Sequence, residues 1–342
     1  MVPVAMAELI VEQYGAFIGK HSERVRVSVK GQLVEERPLY GLDHLMVLSG
    51  GVALSSDVVW ECAQRGIDII FLSGSGVPYA RLISPALTGT VRTRREQLLA
   101  YLDERGIVLG KAFAVGKLAN QANLLRYMAK NRARGQPELY ERAREAAFTI
   151  QDYQRKVEEL RGESINAIRQ DLMTLEAHGA KVYWEAVREL LVPGLEWEGR
   201  ETRGASDVVN SALNYGYGIL YSHVERAVLL AGLDPYAGFV HVDRAGKPSL
   251  VLDLVEEFRQ TVVDRTIFGL LNRGVKLEVE EDRLAEATRR LLAERVNERL
   301  DGEEPYEGKK HKLRTILASQ ARHIATFVRV EGKAYRPFVG RW

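Results

Sequence analysis

The sequence predicts an α+β protein, with a small, mainly antiparallel β domain first and a larger all-α domain after it. Three observations carry this. Arg24–Val29 (RVRVSV) alternates strictly, the period of a half-buried strand. Short apolar segments broken by glycine turns recur over residues 1–85. After Pro85 the apolar spacing changes to that of helices and keeps it almost to the end.

In the first domain, Ala7–Gln13 and Ala16–Gly19 are short apolar segments broken by Tyr14-Gly15. Arg24–Val29 and Leu33–Arg37 flank a turn at Lys30-Gly31-Gln32. His44–Leu48 and Asp68–Leu72 read as further strands, with a short helix, Ser55–Arg65, between them and ending at Gly66. Gly74–Pro78 is a turn before a last strand, Tyr79–Ile83. Residues 1–85 thus form the β domain and 86–342 the helical one.

The helical spacing runs through Arg94–Glu104, Val108–Lys130, Pro137–Phe148, Ile150–Gly162 and Ile165–Leu191. A charged, glycine-bearing loop follows at Val192–Ala205, and Ser206 or Asp207 is placed to cap the next helix, Val208–Leu230. Gly232–Pro248 reads as loop or hairpin. Ser249–Asn272, Asp282–Leu300 and Lys309–Val328 complete the helices. No internal repeat or low-complexity tract is present.

Composition excludes several classes. The 342 residues, 46% apolar and 27% charged, belong to a soluble globular protein rather than a disordered one. The single cysteine, Cys62, excludes an intrachain disulfide and a cysteine-based zinc site, and reads as a small buried apolar residue. No run reaches the roughly 18 apolar residues of a membrane span. The opening residues lack the basic and apolar regions of a secretion signal, so the expected location is the cytoplasm. No GxxxxGK[ST] loop, HExxH or GxSxG motif occurs. Gly74-Ser75-Gly76 reads as a turn, and Gly216-Tyr217-Gly218, inside a helix, as a close-packing device.

The chemistry concentrates around Gly238–His241 and Ser249–Arg259. Asp253 and Glu256 stand three apart on one helix face, in a turn otherwise apolar through Leu252, Leu254, Val255 and Phe258. His241 lies just upstream, on a loop able to fold back towards the helix start. A histidine and carboxylates converging from separate elements can hold a divalent ion: carboxylate oxygen suits Mg²⁺ and Mn²⁺, and imidazole favours Mn²⁺. Glu176 is a third candidate, although spacing alone reads it more readily as a helix-surface charge, and His241 more readily as a structural histidine. Asp253 is equally suited to capping or to pairing with Arg259. His178, two residues from Glu176, points elsewhere on the helix.

Net charge is only +2, but basic residues cluster. Between Arg92 and Arg134 they are opposed only by Glu96, Asp103 and Glu104, and between Lys309 and Arg341 only by Glu331. Such segregation is the footprint of phosphate contacts or, at even odds for either segment, of solvated helix faces.

Four ordered blocks carry a resemblance. They are Leu175-Glu176…Gly179-Ala180…Tyr183-Trp184, then Asp207…Asn210…Leu213-Asn214-Tyr215-Gly216-Tyr217, then Gly232-Leu233-Asp234-Pro235…Gly238-Phe239-Val240-His241, then Ser249–Leu254…Glu256…Phe258-Arg259. Lys117, Asp264-Arg265, Gln320-Ala321-Arg322 and Tyr335…Pro337-Phe338 agree with it. The chain resembles, over essentially its whole length, the CRISPR-associated integrase–endonuclease family of spacer acquisition. Gln260 stands where many members carry proline, and Ala177 where many carry glycine.

The resemblance implies a metal site of Glu176, His241 and Glu256 holding Mg²⁺ or Mn²⁺, with Asp253 one turn before Glu256 as a further catalytic carboxylate. It implies phosphodiester transesterification by the 3′-hydroxyl of an incoming duplex, and hydrolysis when water attacks instead. Arg259 is then expected to neutralise phosphate charge. Asn214 and Tyr217 are expected to line a DNA groove, with simple packing as the alternative reading, and Lys117, Arg92, Arg94 and Arg95 to contact the DNA backbone. The partners implied are double-stranded DNA, a second copy of the chain paired largely through the β domains, and a small ferredoxin-like protein of the acquisition complex. Three other readings stay open: a general nuclease for branched DNA in repair, a DNA-binding scaffold without chemistry, and an RNA-processing enzyme, the last disfavoured only by the resemblance, since the sequence shows no aromatic stacking platform for single-stranded RNA.

Overall fold

Lys30 and Gly31 take φ of 50° and 80°, the left-handed pair that a two-residue hairpin turn requires. They join β3 (Arg24–Val29) to β4 (Gln32–Pro38) as the sequence predicts. A computed structural model describes residues 8–42, 44–73, 78–82, 91–195, 197–202, 207–242, 244–280, 283–331 and 334–341. The predicted turn at 74–77, Ser206 as a cap, and the expected domain boundary at residues 85 and 86 lie outside them. The chain divides into two compact units, Met1–Thr88 and Gly89–Trp342.

The first unit contains β1 (Glu8–Val11), β2 (Phe17–His21), β3, β4, β5 (His44–Val47), β6 (Ala53–Leu54), α1 (Ser56–Arg65), β7 (Asp68–Leu72) and β8 (Pro78–Leu82). Two four-stranded sheets form, ordered β1-β5-β7-β8 and β4-β3-β2-β6. The first unit is strand-rich as expected, with antiparallel pairing the larger share and parallel pairs beside it. β1–β5, β5–β7 and β2–β6 pair parallel, against antiparallel β2–β3, β3–β4 and β7–β8. β5 and β7 are nearly continuous apolar runs buried on both faces, the composition of parallel strands, and α1 supplies the crossover between them. Leu9, Val11, Leu45, Val47 and Ile69 of one sheet share a core with Ile18, Val25 and Val27 of the other and with Val58 and Cys62 of α1.

The second unit is built of α2 (Val91–Ala100), α3 (Glu104–Ala129), α4 (Pro137–Glu159), α5 (Ile165–Leu190), α6 (Val208–Leu230), α7 (Ser249–Val255), α8 (Arg265–Asn272), α9 (Glu286–Asp301) and α10 (Leu313–Val328). The unit is helical as expected, with two short hairpins beside the helices, β9–β10 (Val279–Glu280 with Arg283–Leu284) and β11–β12 (Glu303–Tyr306 with Lys309–Lys312). The second takes four residues from the predicted helix Lys309–Val328. The two helices expected on either side of Thr149 are one, α4, because the Thr149 hydroxyl donates to the Glu145 carbonyl and remains satisfied inside it.

The predicted helix Ser249–Asn272 is interrupted. Regular α7 ends at Val255, and Gln260–Asp264 is a π-helical segment before α8. Such widened turns are frequent at functional sites, and this one lies directly after Glu256 and Arg259. Two glycines allow the helices to close on the region. A Cβ on Gly179 of α5 would stand 2.3 Å from Leu118 of α3, and one on Gly216 of α6 would stand 2.7 Å from Val263. The second contact is the close packing expected of Gly216-Tyr217-Gly218.

Candidate active site

Lys117 of α3, Glu176 of α5 and Glu256, just past α7, come together from three separate elements. The Lys117 ammonium donates to Glu176 Oε1 and lies 2.9 Å from Glu256 Oε2. The second contact is a close ion pair to this buried carboxylate, whose oxygens keep further lone pairs. Burial alone would raise the Glu256 carboxyl, but Arg259, Lys117 and His241 outweigh it and hold the group at about 2. Burial would likewise lower Lys117, and the two glutamates reverse that, so the ammonium stays charged. Lys117 was expected on the DNA backbone. Its side chain is instead buried between the carboxylates, because only a cation can sit between two ionised groups in so dry a place.

Asp253 organises the neighbouring loop. It is fully buried, and its Oδ2 accepts from the backbone N–H groups of Phe239 (2.6 Å) and Val240 (3.0 Å). Its Oδ1 accepts from the His241 N–H at 3.0 Å and lies 2.7 Å from His241 Nδ1. The Ser249 hydroxyl adds a bond from Gly238 N at 3.0 Å and donates to the Tyr236 carbonyl. Gly238 is needed here, since a Cβ would meet Asp253 Oδ2 at 2.9 Å. These four contacts match the lone-pair capacity of a carboxylate. Asp253 is therefore a positioning residue rather than the catalytic carboxylate expected. It fixes the imidazole through Nδ1, which leaves Nε2 for a ligand, as carboxylate–histidine pairs do beside metals.

Arg259 stands over the site from the other side. Its guanidinium lies 3.2 Å from Glu256 Oε1 and bonds the Tyr221 hydroxyl. It stacks on the rings of Tyr217 and Tyr221, 4.8 and 5.5 Å from their centroids. Tyr217, expected to line a groove, is 3% exposed, and its hydroxyl donates to Asp264, which also accepts from Tyr183 at 2.7 Å. Burial raises Asp264, Tyr183 and Tyr217 above their ordinary values. Tyr217 is thus a buried platform for Arg259, because a phenol with an internal acceptor gains nothing by facing solvent. Asn214 is half-buried and accepts from Arg200 at 2.6 Å. Asp207, one of the two predicted caps, caps α6 through Asn210 N at 2.8 Å.

Glu257 was not singled out by sequence. Adjacent residues on a helix point about 100° apart, so Glu256 faces Lys117 while Glu257 faces the core. It accepts from Tyr335 OH (2.6 Å), Gln320 Nε2 (2.8 Å) and Phe338 N (2.8 Å). Asn120, one turn beyond Lys117, donates to the Glu257 and Phe338 carbonyls at 2.9 and 3.0 Å. Residues 334–341 are laced by these bonds to the helices that carry the site. Tyr221 was also missed, and no spacing signal marks it.

Arg92, Arg94 and Arg95 lie on α2 and make no contact with the carboxylate pair among the described residues; Arg92 pairs with Glu331 at 3.0 Å. Their helix is tied to the loop before His241, with Gln97 Nε2 donating to the Asp234 and Ala237 carbonyls at 2.9 and 2.7 Å. His178 packs on Tyr153, away from the site.

Among the described residues, no three of His, Cys, Asp and Glu already stand as a closed metal site. The donor set nevertheless fits a divalent cation. Glu176 and Glu256 already share one cation, Glu256 Oε2 has a lone pair to spare, and His241 is oriented by Asp253.

The family model described as CRISPR associated protein Cas1 matches residues 9–334. A CRISPR-associated endonuclease Cas1 of Archaeoglobus fulgidus is 37% identical over 98% of this chain and 99% of its own. The chain belongs to the Cas1 family. The Cas1 fold extends to solved structures of lower identity. A casposase bound to integration product superposes with a TM-score of 0.82 at 20% identity, covering 96% of this chain and 92% of that one. A Cas6-RT-Cas1–Cas2 complex gives 0.77 at 17% identity, covering 97% of this chain and 36% of that one. The strand-rich unit followed by a helical one is thus the arrangement of the Cas1 family. No helix of this member is long and apolar enough to cross a membrane among the described residues.

Proposed function

We propose that this chain is a metal-dependent DNA integrase–endonuclease that joins short duplexes to a CRISPR array by 3′-hydroxyl transesterification. The convergence of Glu176 and Glu256 from separate helices onto one buried cation carries the reading. Glu176, His241 and Glu256 would hold a divalent ion, Mg²⁺ or Mn²⁺, which would supply charge stabilisation at the phosphoryl oxygen and a lowered pKa for the attacking hydroxyl.

The chain's own residues do the rest. Asp253 sets the His241 tautomer and ring direction. Arg259, held by Tyr217, Tyr221 and Glu256, offers a fixed guanidinium to charge developing on the phosphate. No serine, cysteine or tyrosine nucleophile is needed, because the DNA brings its own hydroxyl; with water as nucleophile the same site cleaves. The partners proposed are double-stranded DNA, a second copy of the chain, and a small Cas2-type protein, supported by the fold shared with the Cas1-containing complex.

The test is strand transfer. The protein, with and without its small partner, receives a short 3′-hydroxyl duplex, a supercoiled repeat plasmid and Mn²⁺, alongside Glu176→Ala and His241→Ala. Joining at the repeat boundary, absent in both variants, is the expected result. Nicking without joining would replace integration by general nuclease action, and identical behaviour of all three proteins would remove the site.

A further inference from the structure

A groove of about 710 Å³ opens where the C-terminal end of α3 meets α8 and α9. It shares no residue with the carboxylate pair. Its walls carry five cationic side chains, Lys130, Arg265, Arg273, Arg295 and Arg299, and one carboxylate, Glu298. Glu298 pairs with Arg295 at 2.7 Å. The buried Glu304 lies 3.2 Å from Arg265 and bonds Arg299. Lys130 and Arg273 are exposed and make no ion pair among the described residues.

Scattered lysines and arginines on helix faces are ordinary, and each alone means nothing. Here they come from the turn after α3 and, far along the chain, from the consecutive α8 and α9 region, and they face one concavity. Arg265 is fixed in place by Glu304 and by Tyr127, whose ring centroid lies 4.6 Å from its guanidinium carbon. Burial, with Arg265 alongside, pulls Arg299 below its ordinary value despite its bond to Glu304. Like charges gathered in a cleft repel one another, and the cleft walls focus their field on an anion. Placement fits a strand that also reaches the catalytic region. Lys130 follows Lys117 by thirteen residues along α3 and the turn after it, about 20 Å at roughly 1.5 Å per residue. At roughly 3.4 Å per nucleotide, about six nucleotides span that length.

We propose that this groove is a second DNA contact, taking the phosphodiester backbone about 20 Å from the reacting phosphate. It rests on the DNA reading above and goes beyond the catalytic site. Its contribution is electrostatic: it holds and aligns the strand and has no part in the chemistry.

The experiment measures binding of a fluorescent duplex of about 30 base pairs, with chelator present, across a salt series. The proteins are wild type, Lys130→Glu/Arg273→Glu, the milder Lys130→Gln/Arg273→Gln, and a control with the same charge change at Arg155 and Lys156 on α4. The groove variants are expected to weaken binding and to flatten the slope of log K against log salt by about 2, with the melting temperature kept and the control unchanged. An unchanged slope in the groove variants, or equal losses in the control, would overturn the groove as a site while leaving the DNA reading intact. Failure of the wild type to bind duplex would bring down the DNA reading and the groove together.

Discussion

Lys117 Nζ lies 2.9 Å from Glu256 Oε2 while also bonding Glu176, so one buried ammonium joins the two carboxylates assigned to a metal. The ammonium thereby compensates both carboxylates in a dry site. Removing one partner of a buried ion pair typically costs about 3–5 kcal/mol. Lys117→Met is therefore expected to melt earlier in chelator than wild type. Added Mn²⁺ should raise its melting temperature further than it raises the wild type's, because the ion no longer displaces an ammonium. Equal Mn²⁺ shifts in thermal denaturation would show that Lys117 does not compete for the position.

Asp253 supports a different prediction, because all its contacts go to residues 239–241. Asp253→Asn keeps the shape but aims an NH₂ group at backbone donors. The loop loosens and His241 loses its fixed tautomer. Losing a hydrogen bond that orients a ligating histidine lowers metal affinity by roughly 10–100-fold. Titration of Mn²⁺ followed by paramagnetic resonance is the measurement. An affinity equal to wild type would mean that His241 is oriented by something other than Asp253.

These two residues also show what was legible in the sequence. The strict alternation of Arg24–Val29 and the two-residue turn after it are local signals, and the hairpin follows from them. Parallel pairing of β1, β5 and β7 is a long-range choice that short apolar runs do not announce. The family motifs marked Glu176, His241 and Glu256 as ligands and Asp253 as a further catalytic carboxylate, but not the contacts that tie Asp253 to the loop before it. Its supporting role depends on which lone pairs the backbone has already used. Lys117 read as one more basic residue in a basic stretch, and only tertiary packing of α3 against α5 turns it inward. The break in Ser249–Asn272 escaped periodicity because a π-helical segment keeps an apolar stripe while shifting its phase.

Glu257 predicts a pH dependence. Burial lifts its carboxyl from the ordinary 4.5 to about 7 in the folded protein. The folded state then holds a proton that the unfolded chain has released, so this contribution is complete below pH 4.5 and is lost as pH rises through 7. Glu256 has the opposite sign. Its folded value of about 2 gives stability present above 4.5 and lost as pH falls towards 2. Between about pH 5 and 7.5 only Glu257 of the two changes state. Glu257→Gln should flatten the fall in denaturant midpoint that wild type shows across that interval, measured in chelator. Parallel curves for the two proteins would mean that Glu257 does not titrate there.

Tyr217 and Arg259 are stacked, yet their substitutions should separate cleanly. Tyr217→Phe keeps the ring beneath the guanidinium and deletes only the hydroxyl that Asp264 accepts. Asp264 keeps Tyr183 at 2.7 Å but loses half of its tyrosine pair in a buried place. A lost hydrogen bond to such a group costs about 1–3 kcal/mol, so the melting temperature falls while duplex affinity holds. Arg259→Gln removes the cation itself. Glu256 loses an ion pair at 3.2 Å, and the reacting phosphate loses the positive charge fixed over the site. Loss of one such preorganised donor commonly lowers turnover by about 10²–10³. Strand-transfer rates at saturating DNA and Mn²⁺ measure it, with Mn²⁺ affinity determined in parallel. A rate within a few-fold of wild type would confine Arg259 to holding Glu256 in place, while a lower rate at full metal occupancy would assign its charge to the phosphate.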